Sequence, residues 1–223
     1  MAFFAGILIG LVVLLTINTI SAKQKKKDKI KRYKNITDPI DVPVATIAKD
    51  LGPLFEKYIS DGTKIDIVGD GYYAYSTNEK IWMKCLRGWL SRGISISYIL
   101  IEADKAALSA LHPLMAEYGD KFLVYELRKT HADEKIGKIA DLFFTMHPVL
   151  ISTDLGQGMW LEKYHPRHSC HAYNNRFVPP GKLADGDLDM HTKFKEYLEY
   201  AKRIVAPLRV DATDSIDVLR NVA

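Results

Sequence analysis

The sequence is poor in cysteine and lacks the short motifs that mark several common enzyme classes. Its two cysteines, Cys85 and Cys170, provide no disulfide framework, which is typical of proteins in a reducing compartment. It has no glycine-rich phosphate loop, no Gly-x-Ser-x-Gly motif and no His-Glu-x-x-His motif. P-loop nucleotide hydrolysis, α/β-hydrolase chemistry and zincin-type proteolysis are therefore not indicated, and no cofactor is predicted.

Charge is absent from the stretch between Ala2 and Ala22. These 21 residues are about the number that a helix needs to cross ~30 Å of hydrocarbon. A cleaved signal peptide is the alternative, but such a peptide usually begins with basic residues, and none precedes this run. We therefore expect a transmembrane anchor at residues 1–22.

A strongly basic segment follows directly. Lys23–Lys34 contains seven lysines, one arginine and one aspartate. Because positive flanks stay on the cytoplasmic side, we expect a single-pass protein with the bulk of its chain in the cytoplasm. Membrane lipid is the expected partner of this segment, at roughly 1 kcal/mol per cation, and nucleic acid is the less favoured one. The rest of the chain, residues 35–223, has 23 Lys and Arg against 26 Asp and Glu, so it has no basic excess for nucleic acid.

The remaining chain divides into three parts. Residues 23–63 are interpreted as the polybasic segment and a proline-containing linker with a short helix. A regular pattern from 64 to 205 predicts one domain, and residues 206–223 form a C-terminal extension. Strands are predicted at Lys64–Gly69, Ile94–Ile101 and Lys121–Leu127, with helices between them that end near Gly93 and Tyr118.

Helices of this length between strands predict parallel pairing through right-handed crossovers. Three later runs with short connections, at Leu142–Thr153, Gly158–His165 and Ala172–Val178, predict an antiparallel part. An amphipathic helix at Asp187–Ile204 closes the pattern. The expected fold is therefore α/β, with a mixed sheet flanked by helices.

The candidate site lies in the first antiparallel run. Side chains alternate along a strand, so His147, Val149 and Ile151 should share one face. Asp154 follows in a turn with two glycines. We expect its carboxylate to contact and orient the His147 ring, as carboxylates do for catalytic histidines.

The spacing of His147 and Asp154 resembles the His-x-Lys-x(4)-Asp signature of the phospholipase D superfamily, and the order of elements resembles one half of that fold. The resemblance implies a phosphodiesterase in which a histidine attacks phosphorus and a second histidine protonates the leaving oxygen. It also implies a homodimer, because chains with a single motif commonly pair. The segment Tyr173–Phe177, YNNRF, stands for the later Asn-containing strand of the family.

This chain departs from the signature at Val149, where the family has lysine. Losing a group that stabilises the developing charge costs on the order of 10²–10³ in rate. A five-residue hairpin loop would place Lys163 opposite Val149 and His165 opposite His147, restoring a cation and a second histidine. A four-residue loop would turn Lys163 away. In another interpretation, His147 is merely a histidine at the end of a strand.

Two other groups of polar residues have simpler interpretations. A short segment contains four soft-metal ligands at a spacing unlike common zinc patterns: His165, His168, Cys170 and His171. We interpret it as a polar loop, with a metal site as the alternative. Four acidic residues at strand ends on one rim of the sheet are interpreted as turn and cap residues: Asp66, Asp70, Glu102 and Asp104.

The sequence therefore favours a membrane-anchored phospholipase D-like domain with a degenerate motif, acting as a non-catalytic binding or scaffold module. The alternative is a phosphodiesterase for phospholipid or nucleic acid. In that enzyme His147 is the nucleophile, Asp154 orients it, and Lys163 and His165 assist. A protein partner or a second copy of the chain is expected in either case.

Overall fold

The computed structural model describes residues 36–42, 52–70, 79–103, 105–165 and 168–208. The chain divides into two compact units, Met1–Ile36 and Thr37–Ala223, and the description concerns the second unit. The expected anchor at residues 1–22 and the basic segment Lys23–Lys34 lie outside the described residues. Within the described ranges, no helix combines the length and apolar character that crossing a bilayer requires.

The second unit alternates strands and helices before it ends in a strand meander and a long helix. The strands are β1 Ile40–Val42, β2 Lys64–Gly69, β3 Ser95–Ile101, β4 Phe122–Leu127, β5 Met146–Thr153, β6 Gly156–His165 and β7 His168–Val178. The helices are α1 Gly52–Glu56, α2 Glu79–Leu90, α3 Lys105–Tyr118, α4 Glu134–Thr145 and α5 Asp185–Ile204.

The seven strands of the described residues form one mixed sheet in the order β1-β7-β6-β5-β2-β3-β4. The strands β2, β3 and β4 pair in parallel, and every other pairing is antiparallel. The expected α/β fold with a mixed sheet flanked by helices is therefore confirmed. The pairing of β2 with β5 joins the parallel half to the antiparallel half.

One face of the sheet is covered by α4 and α5. Side chains of both helices form one buried hydrophobic cluster with alternate residues of the strands. The helical members are Ile136, Ile139, Ala140, Phe143, Phe194, Leu198 and Ala201. The spacing of three and four residues between them places these side chains on one side of each helix.

The opposite face carries an aromatic layer beneath α1. Phe55 of α1 makes an edge-on ring contact with Phe177 of β7, with centroids 5.5 Å apart. Trp160 of β6 lies 6.3 Å from the same ring. Because Trp160 pairs with Val149, this is also the face to which Val149 belongs.

Two boundaries differ from the sequence-based expectation. The run Leu142–Thr153 was expected to be a strand throughout, but α4 extends to Thr145 and β5 begins at Met146. The Asp133 side chain caps α4 by accepting a hydrogen bond from the backbone N–H of Ile136. Apolar residues at helical spacing continue along α4 to Phe143, which lies in its last turn and is fully buried.

The structured unit also begins before Lys64, which the sequence suggested as its start. The strand β1 pairs with β7 along the edge of the sheet, with Ile40 opposite Phe177. The helix α1 supplies Leu54 and Phe55 to the core. The segment taken for a linker therefore contributes to the face on which the candidate site lies.

Candidate functional site

Three buried polar residues lie side by side on neighbouring strands. His147 of β5 pairs with Glu162 of β6, and Glu162 pairs with Asn175 of β7. Their exposed fractions are 5%, 0% and 1%. Directly paired residues have Cα atoms about 4.5–5.5 Å apart, so the three positions form a continuous row. We call this set the polar row.

The polar row lies next to an apolar row on the same face. Two residues along each strand, Val149 pairs with Trp160, and Trp160 pairs with Phe177. All three side chains are fully buried. In the candidate site, the imidazole, carboxyl group and amide of the polar row therefore lie beside a row of buried apolar side chains.

His147 is held in its neutral form by its surroundings. Burial lowers the pKa of His147 to about 4, because a charged imidazolium is poorly solvated there. The nearby Asp70 carboxylate acts in the opposite direction and offsets only part of this effect. At neutral pH the ring therefore presents one donor and one acceptor nitrogen, the form that serves as a base or nucleophile.

The carboxylate that acts on His147 is Asp70 and not Asp154. The strand β5 separates His147 from the turn, so seven residue steps of ~3.3 Å place Asp154 about 23 Å away. Asp154 instead accepts a hydrogen bond of 3.0 Å from the Ser60 hydroxyl. The expected contact between Asp154 and His147 is wrong. Asp70 reaches the site because it directly follows β2, which is antiparallel to β5.

The hairpin loop is shorter than either of the two loops considered from the sequence. Thr153 pairs with Gly156, so the loop contains only Asp154 and Leu155. The Thr153 hydroxyl closes this turn by donating to the Gly156 carbonyl and accepting from the Leu155 N–H. Gly156 adopts a φ of +113°, which L side chains rarely allow.

The shorter loop moves both assisting residues away from their expected partners. Lys163 pairs with Met146 instead of Val149. His165 pairs with His168 of β7 instead of His147. The residue opposite His147 is Glu162, so the structure pairs the imidazole with a carboxyl group and not with a second histidine.

Sequence reasoning missed Glu162 and treated Asn175 only as part of a family segment. A signal for Glu162 was present, because it follows Trp160 by two residues and must share the buried face of that tryptophan. Neither side-chain atom of Asn175 has a hydrogen-bond partner among the described residues. A buried amide in that state is unusual, since most buried polar groups are satisfied.

The remaining acidic candidates have structural roles or lie elsewhere. Glu102 accepts a hydrogen bond from the backbone N–H of Lys129 and adopts a φ of +50°. Asp66 lies within β2 and forms an ion pair of 3.1 Å with Lys202. Asp104 lies outside the described residues.

The alternative metal site falls on side chains outside the described part of the structure, namely His165, His168, Cys170 and His171. Among the described residues, no group of three or more His, Cys, Asp or Glu side chains is arranged to hold a metal ion.

Comparisons with known proteins give distant likenesses. No protein-family model matches the chain, and no curated protein matches it. Among solved structures, it is similar to TrmBL2, described as an archaeal chromatin protein with a novel mode of DNA binding, at 14% identity and a TM-score of 0.47. The match covers 87% of this chain and 65% of TrmBL2, so the chain spans less than two thirds of that protein.

The chain is also similar to Nuc from Salmonella typhimurium, described as a phospholipase D family member. Here the identity is 12%, the TM-score is 0.46, and the match covers 78% of this chain and 100% of Nuc. Both likenesses are distant, so the chemistry of the site is inferred from its own residues.

Proposed function

We propose that this chain is a membrane-anchored binding or scaffold protein with a degenerate phospholipase D-like domain. The observation that carries the proposal is Val149. Its side chain is fully buried between the Ile67 and Trp160 positions of the neighbouring strands, in the place where the resembled motif has lysine. Without a cation there, charge developing on phosphoryl oxygens would lack a stabiliser worth roughly 10²–10³ in rate.

The electrostatics of the polar row support the same proposal. The charged group known to act on the His147 ring is the Asp70 carboxylate, and the facing residue is Glu162, another acid. A phosphodiester is an anion, so the Asp70 carboxylate close to the nucleophile disfavours its approach. A neutral imidazole beside acidic groups is better suited to binding a hydrogen-bond donor than a phosphate.

The phosphodiesterase alternative is favoured by the polar row itself. A sheet that served only as a scaffold would be more stable with apolar residues at these buried positions, since burying polar groups is costly. His147 also has the neutral state that a nucleophile needs. Substitution of His147 therefore tests the phosphodiesterase alternative directly.

The experiment compares the full chain with its His147→Ala variant, both in phosphatidylcholine nanodiscs. The substrates are bis(p-nitrophenyl) phosphate and the phosphatidylcholine itself. We expect equal rates for the two proteins, with no acid-labile phosphohistidine on either. A wild-type rate tenfold or more above the variant, together with a phosphorylated His147, would overturn the proposal and establish the alternative. The Asp154→Asn variant is the matched control, because Asp154 lies far from the ring.

The proposal also includes a partner and a membrane orientation. The partner implied by the family resemblance is a second copy of the chain, and the orientation places residues 35–223 in the cytoplasm. Native mass spectrometry of the nanodisc complex should give two chains per particle. Protease added to sealed inside-out vesicles, whose cytoplasmic face is exposed, should degrade residues 35–223. A single chain per particle would overturn the dimer, and full protection from protease would overturn the orientation.

A further inference from the structure

A second candidate site lies on the face of the sheet opposite to the polar row. A cleft of about 510 Å³ opens where α5 passes the start of α4 and the beginning of β6. Its lining comprises residues of α5 between His191 and Arg203, Lys135 of α4 and Gln157 of β6. Its size suits a small ligand. Because this face carries α4 and α5, the cleft is independent of the function proposed above.

The cleft is lined by a histidine that is almost fully buried. His191 is only 2% exposed and lines the cleft. Its ring forms no hydrogen bond with another residue of the described part of the chain. Burial and the ammonium group of Lys195 lower the pKa of His191, while Asp66 acts in the opposite direction. A neutral ring at this place offers an N–H to an acceptor in the cleft.

The charged residues around the cleft favour an anion. Lys135, Lys195 and Arg203 contribute three cations, and Glu196 and Glu199 contribute two carboxylates. One of these carboxylates is already engaged, since Glu199 lies 2.7 Å from the ammonium nitrogen of Lys202, which is not part of the lining. The lining therefore has three cations and one carboxylate that forms no ion pair among the described residues, that of Glu196.

One cation of the cleft contacts an aromatic ring of the lining. The Lys135 ammonium lies 3.9 Å from the centroid of the Tyr200 ring, a cation–π contact. The Tyr200 hydroxyl in turn donates a hydrogen bond of 3.0 Å to Asp133, the residue that caps α4. These contacts place the Lys135 ammonium beside Tyr200, which also lines the cleft.

We propose that this cleft binds a phosphate group, with Lys135, Lys195 and Arg203 as the cations and His191 as a neutral donor. Guanidinium and ammonium groups with nearby neutral donors are the usual partners of phosphate in proteins. The bound phosphate group can belong to a soluble phosphate or to the headgroup of a phospholipid. The same side chains would recognise it in both ligands.

The test measures stabilisation of the full chain by inorganic phosphate in phosphatidylcholine nanodiscs. A ligand that binds only the native state raises the unfolding midpoint, which the tryptophan fluorescence reports. Sodium chloride of equal ionic strength gives the baseline. We expect phosphate to raise the midpoint of the wild type, and the Lys195→Ala/Arg203→Ala variant to bind phosphate more weakly. The expected loss is about two- to fivefold for each cation removed.

The Lys193→Ala variant is the matched control, because Lys193 lies on the same helix outside the cleft. It should keep the wild-type response. Repeating the titration in nanodiscs with phosphatidic acid separates the two sources: loss of the phosphate response identifies the headgroup as the ligand, and an unchanged response identifies soluble phosphate. No phosphate-specific stabilisation of the wild type, or an unchanged response in the double variant, would overturn the inference.

Discussion

The neutral state of His147 makes a quantitative prediction about acid stability. An unfolded histidine takes up a proton near pH 6.5, whereas burial lowers the pKa of His147 in the native state to about 4. Between these values the unfolded chain binds more protons than the native one, so the free energy of unfolding falls as the pH falls. At 1.36 kcal/mol per pKa unit, the full loss is about 3 kcal/mol and is complete near pH 4.

The assay is urea unfolding of the full chain in nonionic micelles at several values between pH 7 and pH 4.5. Tryptophan fluorescence follows it, since Trp82, Trp89 and Trp160 are all buried in the described unit. The His147→Gln variant stays uncharged throughout. The wild type should lose about 2–3 kcal/mol more than this variant between pH 7 and pH 4.5.

This comparison isolates His147 from other groups that titrate on acidification. Burial also lowers the pKa of His191, but that residue is present in both proteins and its contribution cancels. The His112→Gln variant controls for the loss of an imidazole from a half-buried place on α3. Equal losses in the wild type and the His147→Gln variant would refute the burial argument and, with it, the neutral ring on which both functional interpretations depend.

Three further predictions concern the stability of the fold, measured by the same unfolding assay. Gly158→Ala should cost about 1–3 kcal/mol, because its Cβ would lie 2.7 Å from a backbone nitrogen, whereas Gly88→Ala, with nothing within 4 Å, should stabilise α2 by about 0.5–1 kcal/mol. Equal effects would contradict the packing argument. Lys202→Met should cost about 1–3 kcal/mol by leaving the Asp66 carboxylate half-buried without its cation, and adding Asp66→Asn should recover part of the loss. Arg176→Lys should cost about 1 kcal/mol, since the guanidinium bonds two aspartates at once; an unchanged stability would show those bonds to be dispensable.

The sequence predicted the local elements of the parallel half well. Each strand and helix there is long enough to show its own period. The helix that carries Trp82, Leu86 and Trp89 ends at Leu90, close to the expected stop at Gly93, which adopts a φ of +83°. The expectation failed in the run from Leu142, because a helix followed directly by a strand gives one continuous apolar stretch. Periodicity alone cannot divide such a stretch.

The candidate site was predicted only in part, and the reason is the hairpin. His147 was identified from its place on a strand, and the face that it shares with Val149 and Ile151 was predicted. Its partners depend on the register between β5 and β6, which a hydroxyl and a glycine in the turn decide. Shifting the expected pairing by three residues replaced Lys163 and His165 with Glu162 as the neighbour of the ring.

The sequence by itself determined the alternation of elements, the mixed character of the sheet and the face that His147 shares with Val149, because these follow from patterns of residues close together in the chain. Tertiary structure alone decided which carboxylate approaches that histidine. Asp70 is 77 positions away in the chain, yet it directly follows β2, which runs antiparallel beside β5. Asp154 is near in sequence, but an extended strand carries its carboxylate to the far edge of the sheet.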